Sequence, residues 1–234
     1  MKFKLLVLTT AAFCLSSLLA QAGVNVGATR VIYQGKEKEA NLSITNTVDD
    51  HIPYLIQSWI SEYGENDQAT EKFIVTPPLF RLDPGSQNVL RIIAVQTSQL
   101  PSDKESLFSV NVKAIPAKST EPGKENVLQI AIKTSIKLFY RPQGLPGSLI
   151  EAAKGVVWSS DNGRLSFDNP SRYNIVVSKL VINGREQNGM PDVISPGQHS
   201  SVNIPANAGE SIVLSYINEF GSVVETPATT LVNR

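Results

Sequence analysis

The sequence predicts an all-β fold built as two β-sandwich domains, and three observations carry that prediction. Turn signals recur at short intervals with apolar alternation between them. One proline- and glycine-rich stretch interrupts the pattern near its middle, and no segment sustains a 3.6-residue apolar period. The turns are Gln34-Gly35, Asp49-Asp50, Tyr63-Gly64, Asp83-Pro84-Gly85, Pro122-Gly123, Asn162-Gly163, Asn183-Gly184, Pro196-Gly197 and Phe220-Gly221.

Taken in order, the chain opens on Lys2 and Lys4, an apolar run through Leu19, and Ala20-Gln21-Ala22. This fits a secretory signal over residues 1–22, cleaved before Gly23. The run is short for a membrane span, so an uncleaved anchor is the weaker reading. Cys14, the only cysteine, follows Phe13 inside that run, whereas a lipid-modified cysteine would follow a small residue. The mature chain therefore has no disulfide and relies on its core. Removing Lys2 and Lys4 from 21 basic against 21 acidic side chains leaves a formal charge of −2. No general field for nucleic acid or an anionic membrane follows.

Candidate strands of the first domain, residues 23–142, are Thr29 to Tyr33, Glu39 to Asn46, Tyr54 to Ile60, Phe73 to Val75, Asn88 to Ile93, Leu107 to Ile115 and Val127 to Arg141. A short helical turn fits Ser98 to Glu105. Seven strands in about 115 residues is the size of an immunoglobulin-like domain. Arg141-Pro-Gln-Gly-Leu-Pro-Gly147 then marks the boundary. The second domain, residues 143–234, reads as strands Val156 to Ser159, Arg164 to Asp168, Ile175 to Ile182, Ser200 to Ile204, Ser211 to Ile217 and Val223 to Leu231.

The segment Val127 to Phe139 is unusually long for one strand, roughly 40 Å at ~3.3 Å per residue. Leu128, Ile130, Ile132, Ile136 and Leu138 fall on one face, with Thr134 the polar member of the row. Either the whole row packs inside its own domain, or part of it offers apolar side chains to something outside.

Catalytic and metal chemistry find no foothold. His51 and His199 lie in different predicted domains without ligand spacing, and no nucleophile elbow, phosphate loop or dinucleotide motif occurs. Carboxylate pairs such as Asp49 with Asp50, or Glu37 with Glu39, sit beside turns or on solvated strand faces. The expectation is a protein without enzyme activity, cofactor or metal.

Eight short strings do stand out in order: Gly27-Ala-Thr-Arg-Val-Ile-Tyr33, Tyr54-Leu-Ile-Gln-Ser-Trp59, Thr76-Pro-Pro-Leu-Phe80, Glu105-Ser-Leu-Phe108, Ala114-Ile-Pro116, Ile136-Lys-Leu-Phe-Tyr-Arg-Pro142, Asn169-Pro170 and Ser215-Tyr-Ile-Asn-Glu-Phe-Gly221. Together they resemble the periplasmic chaperones of the chaperone-usher pilus pathway. The resemblance implies an L-shaped (boomerang) pair of immunoglobulin-like domains in the periplasm. It implies pilin (fimbrial) subunits and an outer-membrane usher as partners. Donor-strand complementation is the implied mechanism: the chaperone lends a strand to a subunit that lacks one, a form of β-augmentation.

By position, Leu128, Ile130 and Ile132 match the donated residues. Full burial at ~1.5 to 3 kcal/mol each would contribute roughly 5 to 9 kcal/mol before association costs, so backbone bonding must also matter. Ile136 and Leu138 would then be core. Arg30 and Lys137 match the family's anchor for the subunit's C-terminal carboxylate, a task suited to charge-assisted donors. Lys137 faces opposite to the donated row, so a twist, bulge or edge position is expected to bring it to the cleft. Glu105, Arg141 and Glu219 match a charged interdomain cluster, although the family usually has aspartate where this chain has Glu219. Without the family, Arg30 and Lys137 read as solvated strand residues and the cluster as a surface ion pair of little value.

The connection Pro116 to Glu125 is short and polar, which places the chain with the short-loop branch that serves rod-like pili and adhesins. The exposed strand edge of a free chaperone implies self-association or loop cover. The alternative is a secreted ligand-binding sandwich, adhesin or lectin-like. Trp59 and Trp158 weigh against it because both read as core positions rather than loop aromatics. A periplasmic hydrolase is weaker still.

Overall fold

The computed structural model describes residues 23–48, 51–65, 67–118 and 128–233. The predicted signal, the Asp49-Asp50 turn, residues 119–127 of the polar connection and the Val127 strand start lie outside the described residues.

The first domain contains β1 (Val24–Val26), β2 (Arg30–Gln34), β3 (Ala40–Asn46), β4 (Tyr54–Glu62), β5 (Phe73–Thr76), β6 (Leu79–Leu82), β7 (Gln87–Ala94), β8 (Ser106–Pro116) and β9 (Ile132–Arg141). They form two facing sheets, ordered β1-β3-β7-β5 and β2-β9-β8-β4-β6. Alternation decides what lies between them. Phe108, Val110 and Val112 of β8 and Leu138 and Tyr140 of β9 meet Leu42, Ile44, Leu90 and Ile92 from the opposite sheet. Tyr33, Phe73, Phe108 and Tyr140 form an aromatic knot, with the Phe73 and Phe108 rings edge-on at 4.8 Å.

Sequence patterning misses β1 and β6. The first is only three residues long. The second follows Pro77-Pro78 and occupies a sheet edge, the place where nearby prolines are tolerated. The expected helical turn shrinks to a 3-10 turn at Thr97–Gln99. Trp59 corrects the sequence expectation: Ile56, Ser58 and Ile60 turn inward on β4, which leaves Trp59 half-buried on the outer face, donating from Nε1 to the Asp67 carbonyl at 2.7 Å. Trp158 is core, as expected.

The second domain opens with a helix that the sequence reading lacked, α1 (Leu149–Lys154). Ser148 caps it, accepting from the Glu151 amide at 3.2 Å, while Ala152 and Ala153 are buried. The strands are β10 (Val157–Asp161), β11 (Arg164–Asp168), β12 (Ile175–Ile182), β13 (Arg185–Gln187), β14 (Val193–Ile194), β15 (His199–Pro205), β16 (Ser211–Ile217), β17 (Val223–Glu225), β18 (Thr229–Thr230) and β19 (Val232–Asn233). One sheet runs β15-β11-β10-β19 and the other β13-β12-β16-β17, with β14 beside β12 and β18 beside β16. The single strand expected from Val223 to Leu231 is thus divided. Pro227 lies in its gap, a residue with no amide to donate to a ladder.

Each domain has its own core. A third, smaller cluster joins them: Phe139 of β9 packs with Val176 and Val193 of the second domain, flanked by Ile32, Tyr63, Leu107 and Ile217.

Candidate functional site

The strand expected from Val127 to Arg141 begins, among the described residues, only at Ile132. Its pairing with β8 gives out there, although β8 itself continues. The antiparallel ladder between β8 and β9 ends at the Ala114–Ile132 pair, two residues short of Pro116, where β8 stops. Gln129 Nε2 donates to the Pro116 carbonyl, holding the chain beside the end of the sheet without a ladder. Leu128, Ile130 and Ile132 are 85%, 63% and 62% exposed, an apolar row open to solvent.

The other edge of β9 is half covered. Strand β2 lies against it in parallel register, from Arg30 opposite Lys137 to Gln34 opposite Arg141. From Ile132 to Ile136, no described strand pairs on that side. The result is an unpaired edge of roughly 17 Å with exposed apolar side chains leading into it, which ends where β2 begins.

Arg30 and Lys137 stand side by side at that meeting point because they are register partners. No bulge or edge position brings Lys137 there: the β8–β9 register runs unbroken through it and β2 pairs on its other side. Instead, the second domain covers the face opposite Ile136 and Leu138. Lys137 shares that outer face with Phe139 and Arg141, both of which touch the second domain.

Four groups converge there. Lys137 Nζ lies 2.8 Å from Asp192 Oδ2 and 5.5 Å from the centre of the Tyr63 ring. The Tyr63 hydroxyl donates to the same Asp192 oxygen. Arg30 Nη1 donates to the Ile217 carbonyl at 3.2 Å, while its buried Nε has no acceptor. Burial pulls the Arg30 guanidinium below its usual pKa, and the Asp192 charge opposes this. Burial likewise pushes Asp192 up, but hydrogen bonds from Lys137 and Tyr63 and the charges of Lys137 and Arg30 outweigh it. The carboxyl ends below its ordinary value. Tyr63 is pushed well up by burial and by the Asp192 carboxylate. Sequence reasoning missed Asp192 and Tyr63, since no local motif marks either.

Glycine is required nearby. Gly221 has φ of 86°, and a Cβ there would meet Thr29 Oγ1 at 2.7 Å. The second domain approaches the start of β2 that closely.

Glu105, Arg141 and Glu219 do come together. Arg141 lies 2.9 Å from Glu105 Oε1 and 2.5 Å from Glu219 Oε1, so glutamate in place of the usual aspartate still reaches it. Glu105 is buried and also accepts from the Asn174 amide at 2.9 Å, while its own amide donates to the Arg172 carbonyl. Burial raises the Glu105 carboxyl above its usual range despite these donors. The Arg141 guanidinium sits 5.0 Å from the Tyr173 ring centre. This is a desolvated interdomain network, unlike the weak surface pair the residues alone suggested.

Among the described residues, no group of three or more His, Cys, Asp or Glu could hold a metal, and no helix is long and apolar enough to cross a membrane.

Comparison with known proteins finds relatives that span both domains. Residues 23–146 match the family model for the pili and flagellar-assembly chaperone PapD N-terminal domain, and residues 151–228 match that for the pili assembly chaperone PapD C-terminal domain. A probable fimbrial chaperone LpfB of Escherichia coli O157:H7 is 41% identical over 227 residues, covering 96% of this chain and 95% of that protein. The chaperone protein LpfB of Salmonella typhimurium is 42% identical, covering 88% and 90%. Among solved structures, the periplasmic chaperone SfaE superposes with a TM-score of 0.71 at 36% identity, covering 90% of this chain and all of that one. The SafB chaperone of Salmonella enterica, solved in complex with the SafA pilin, gives a chain match with a TM-score of 0.76 at 30% identity, covering 90% and 96%.

Proposed function

We infer the working parts of this molecule from the premise that the chain belongs to the periplasmic chaperones of the chaperone-usher pathway. It is a pilus-subunit chaperone, with pilins as its partners, an usher as the destination of its cargo, and two immunoglobulin-like domains as its fold. The family is not one of enzymes, and we read this chain as acting by binding alone. Residues 1–22 are the export signal in this reading, and the domains divide at 142, one residue after β9 ends.

Leu128, Ile130 and Ile132 are the donated side chains. The observation that carries this assignment is the open edge of β9, which is unpaired from Ile132 to Ile136 beside exposed apolar residues. A pilin strand running along that edge parallel to β9, as β2 does, would terminate where β2 starts. Its C-terminal carboxylate would then meet Arg30 and Lys137, whose donors are already desolvated on one side. Glu105, Arg141 and Glu219 hold the two domains so that this cleft keeps its width.

Co-expression with the cognate pilin tests the anchor. With Arg30→Ala or Lys137→Ala, the subunit is expected to disappear from the periplasm. Unchanged recovery of pilin would overturn the assignment.

A further inference from the structure

The cleft that offers two cations to a carboxylate already contains one. Asp192 belongs to the second domain, where its carbonyl accepts from the Val177 amide at 2.9 Å beside the register shift in β12, so its backbone is held in place. Among the described residues, its side chain is the carboxylate paired with Lys137. That carboxylate sits 2.8 Å from the Lys137 ammonium and also accepts from Tyr63.

We propose that Asp192 is a built-in stand-in for the incoming carboxylate, which competes for Lys137 and weakens capture until it is displaced. This rests on the assignment of Arg30 and Lys137 as the carboxylate anchor. Three features favour competition over simple orientation of the lysine. Lys137 is already carried by a continuous two-sided ladder, so the face its side chain leaves from does not depend on Asp192. Arg30 gives its Nη1 to a backbone carbonyl and leaves Nε unmatched, so it makes no fixed pair with Asp192. Finally, the Asp192 side chain is 57% exposed and can swing into water once replaced, whereas Lys137 is 22% exposed and cannot retreat as readily.

The consequence is selectivity. A ligand must bring both an apolar alternating strand for the open edge and a terminal charge able to replace Asp192, so a strand without a free C-terminus gains little in this cleft. Because Asp192 and Tyr63 sit on different domains, displacement also releases a contact between them. Binding of a carboxylate and loosening of that contact are therefore the same event.

The test uses the mature chain and a synthetic peptide with valine at alternate positions, made with a C-terminal acid and with a C-terminal amide, titrated by fluorescence anisotropy. Wild type is expected to favour the acid. Asp192→Asn, nearly isosteric and half in solvent, is expected to bind the acid about two- to tenfold more tightly, the scale of one partly exposed ion pair, with the amide unchanged. Tyr63→Phe, which leaves the Lys137 contact intact, should show a smaller gain in the same direction. If wild type prefers the acid but Asp192→Asn binds it no better or worse, the stand-in role is overturned and the anchor survives. If wild type does not distinguish acid from amide, both fall.

Discussion

Ile130 and Leu138 lie on the same face of one alternating segment, yet Ile130 is 63% exposed and Leu138 is fully buried. The two positions are equivalent in pattern and opposite in fate. Leu138 has a sheet across from it and a strand on each side, β8 and β2. Ile130 has neither, because the β8–β9 ladder ends at the Ala114–Ile132 pair and β2 begins only at Lys137's register. Alternation assigns a side chain to a face; the reach of the neighbouring strands decides whether that face is covered. The free chaperone is a well-anchored root carrying an unfinished continuation, and the continuation is the part we propose works on a partner.

Breaking the root should have the largest effect. Arg141→Ala leaves Glu105 buried without its cation and is expected to cost about 3 kcal/mol of stability, read from urea unfolding. Leu138→Ala should cost ~2 to 5 kcal/mol through the cavity it leaves in the first-domain core. Ile130→Ala, the matching change upstream, should stay within ~0.5 kcal/mol of wild type while lowering recovery of co-expressed pilin. Equal losses of stability from Leu138→Ala and Ile130→Ala would erase the contrast.

The smallest effect concerns the cleft and pH. Lys137, Tyr63 and Arg30 hold the Asp192 carboxyl below its ordinary value of about 3.9, so there the folded state binds fewer protons than the unfolded one. The stability this contributes is present above that ordinary value and lost as pH falls through the folded-state value. With more than half of the side chain in solvent, the gap between wild type and Asp192→Asn should be a few tenths of a kcal/mol at pH 7. It should hold down to about pH 5 and close as pH falls below the ordinary value of about 3.9. A gap that widened in acid would contradict the assignment.

Much of this was legible in the residues. Turn spacing and alternation suffice for two β domains, and the eight ordered strings point to the family and to Arg30, Lys137, Glu105, Arg141 and Glu219. What was not legible depends on chain segments meeting from afar. The start of β9 at Ile132 is set by where its ladder with another strand stops, at Ala114 of β8. The cleft face of Lys137 is set by a whole second domain, so no bulge was needed. Asp192 lacks a motif because its role arises only where Pro191-Asp192 meets β9. Helix α1 was different: Ser148-Leu-Ile-Glu151 is a capping box, and its signal was masked by the short length of the helix.

The central claim is that β9 is complete from Lys137 onward and open before it. Residue-resolved amide hydrogen exchange, measured on the free protein and on its complex with a cognate pilin, tests it directly. In the free protein, amides of β9 that face away from β8 should exchange rapidly between Ile132 and Ile136 and slowly from Lys137 to Arg141. Binding should protect the first group and leave the second nearly unchanged. If the Ile132 to Ile136 amides are already protected in the free monomer, or stay rapid in the complex, the open-edge account is wrong.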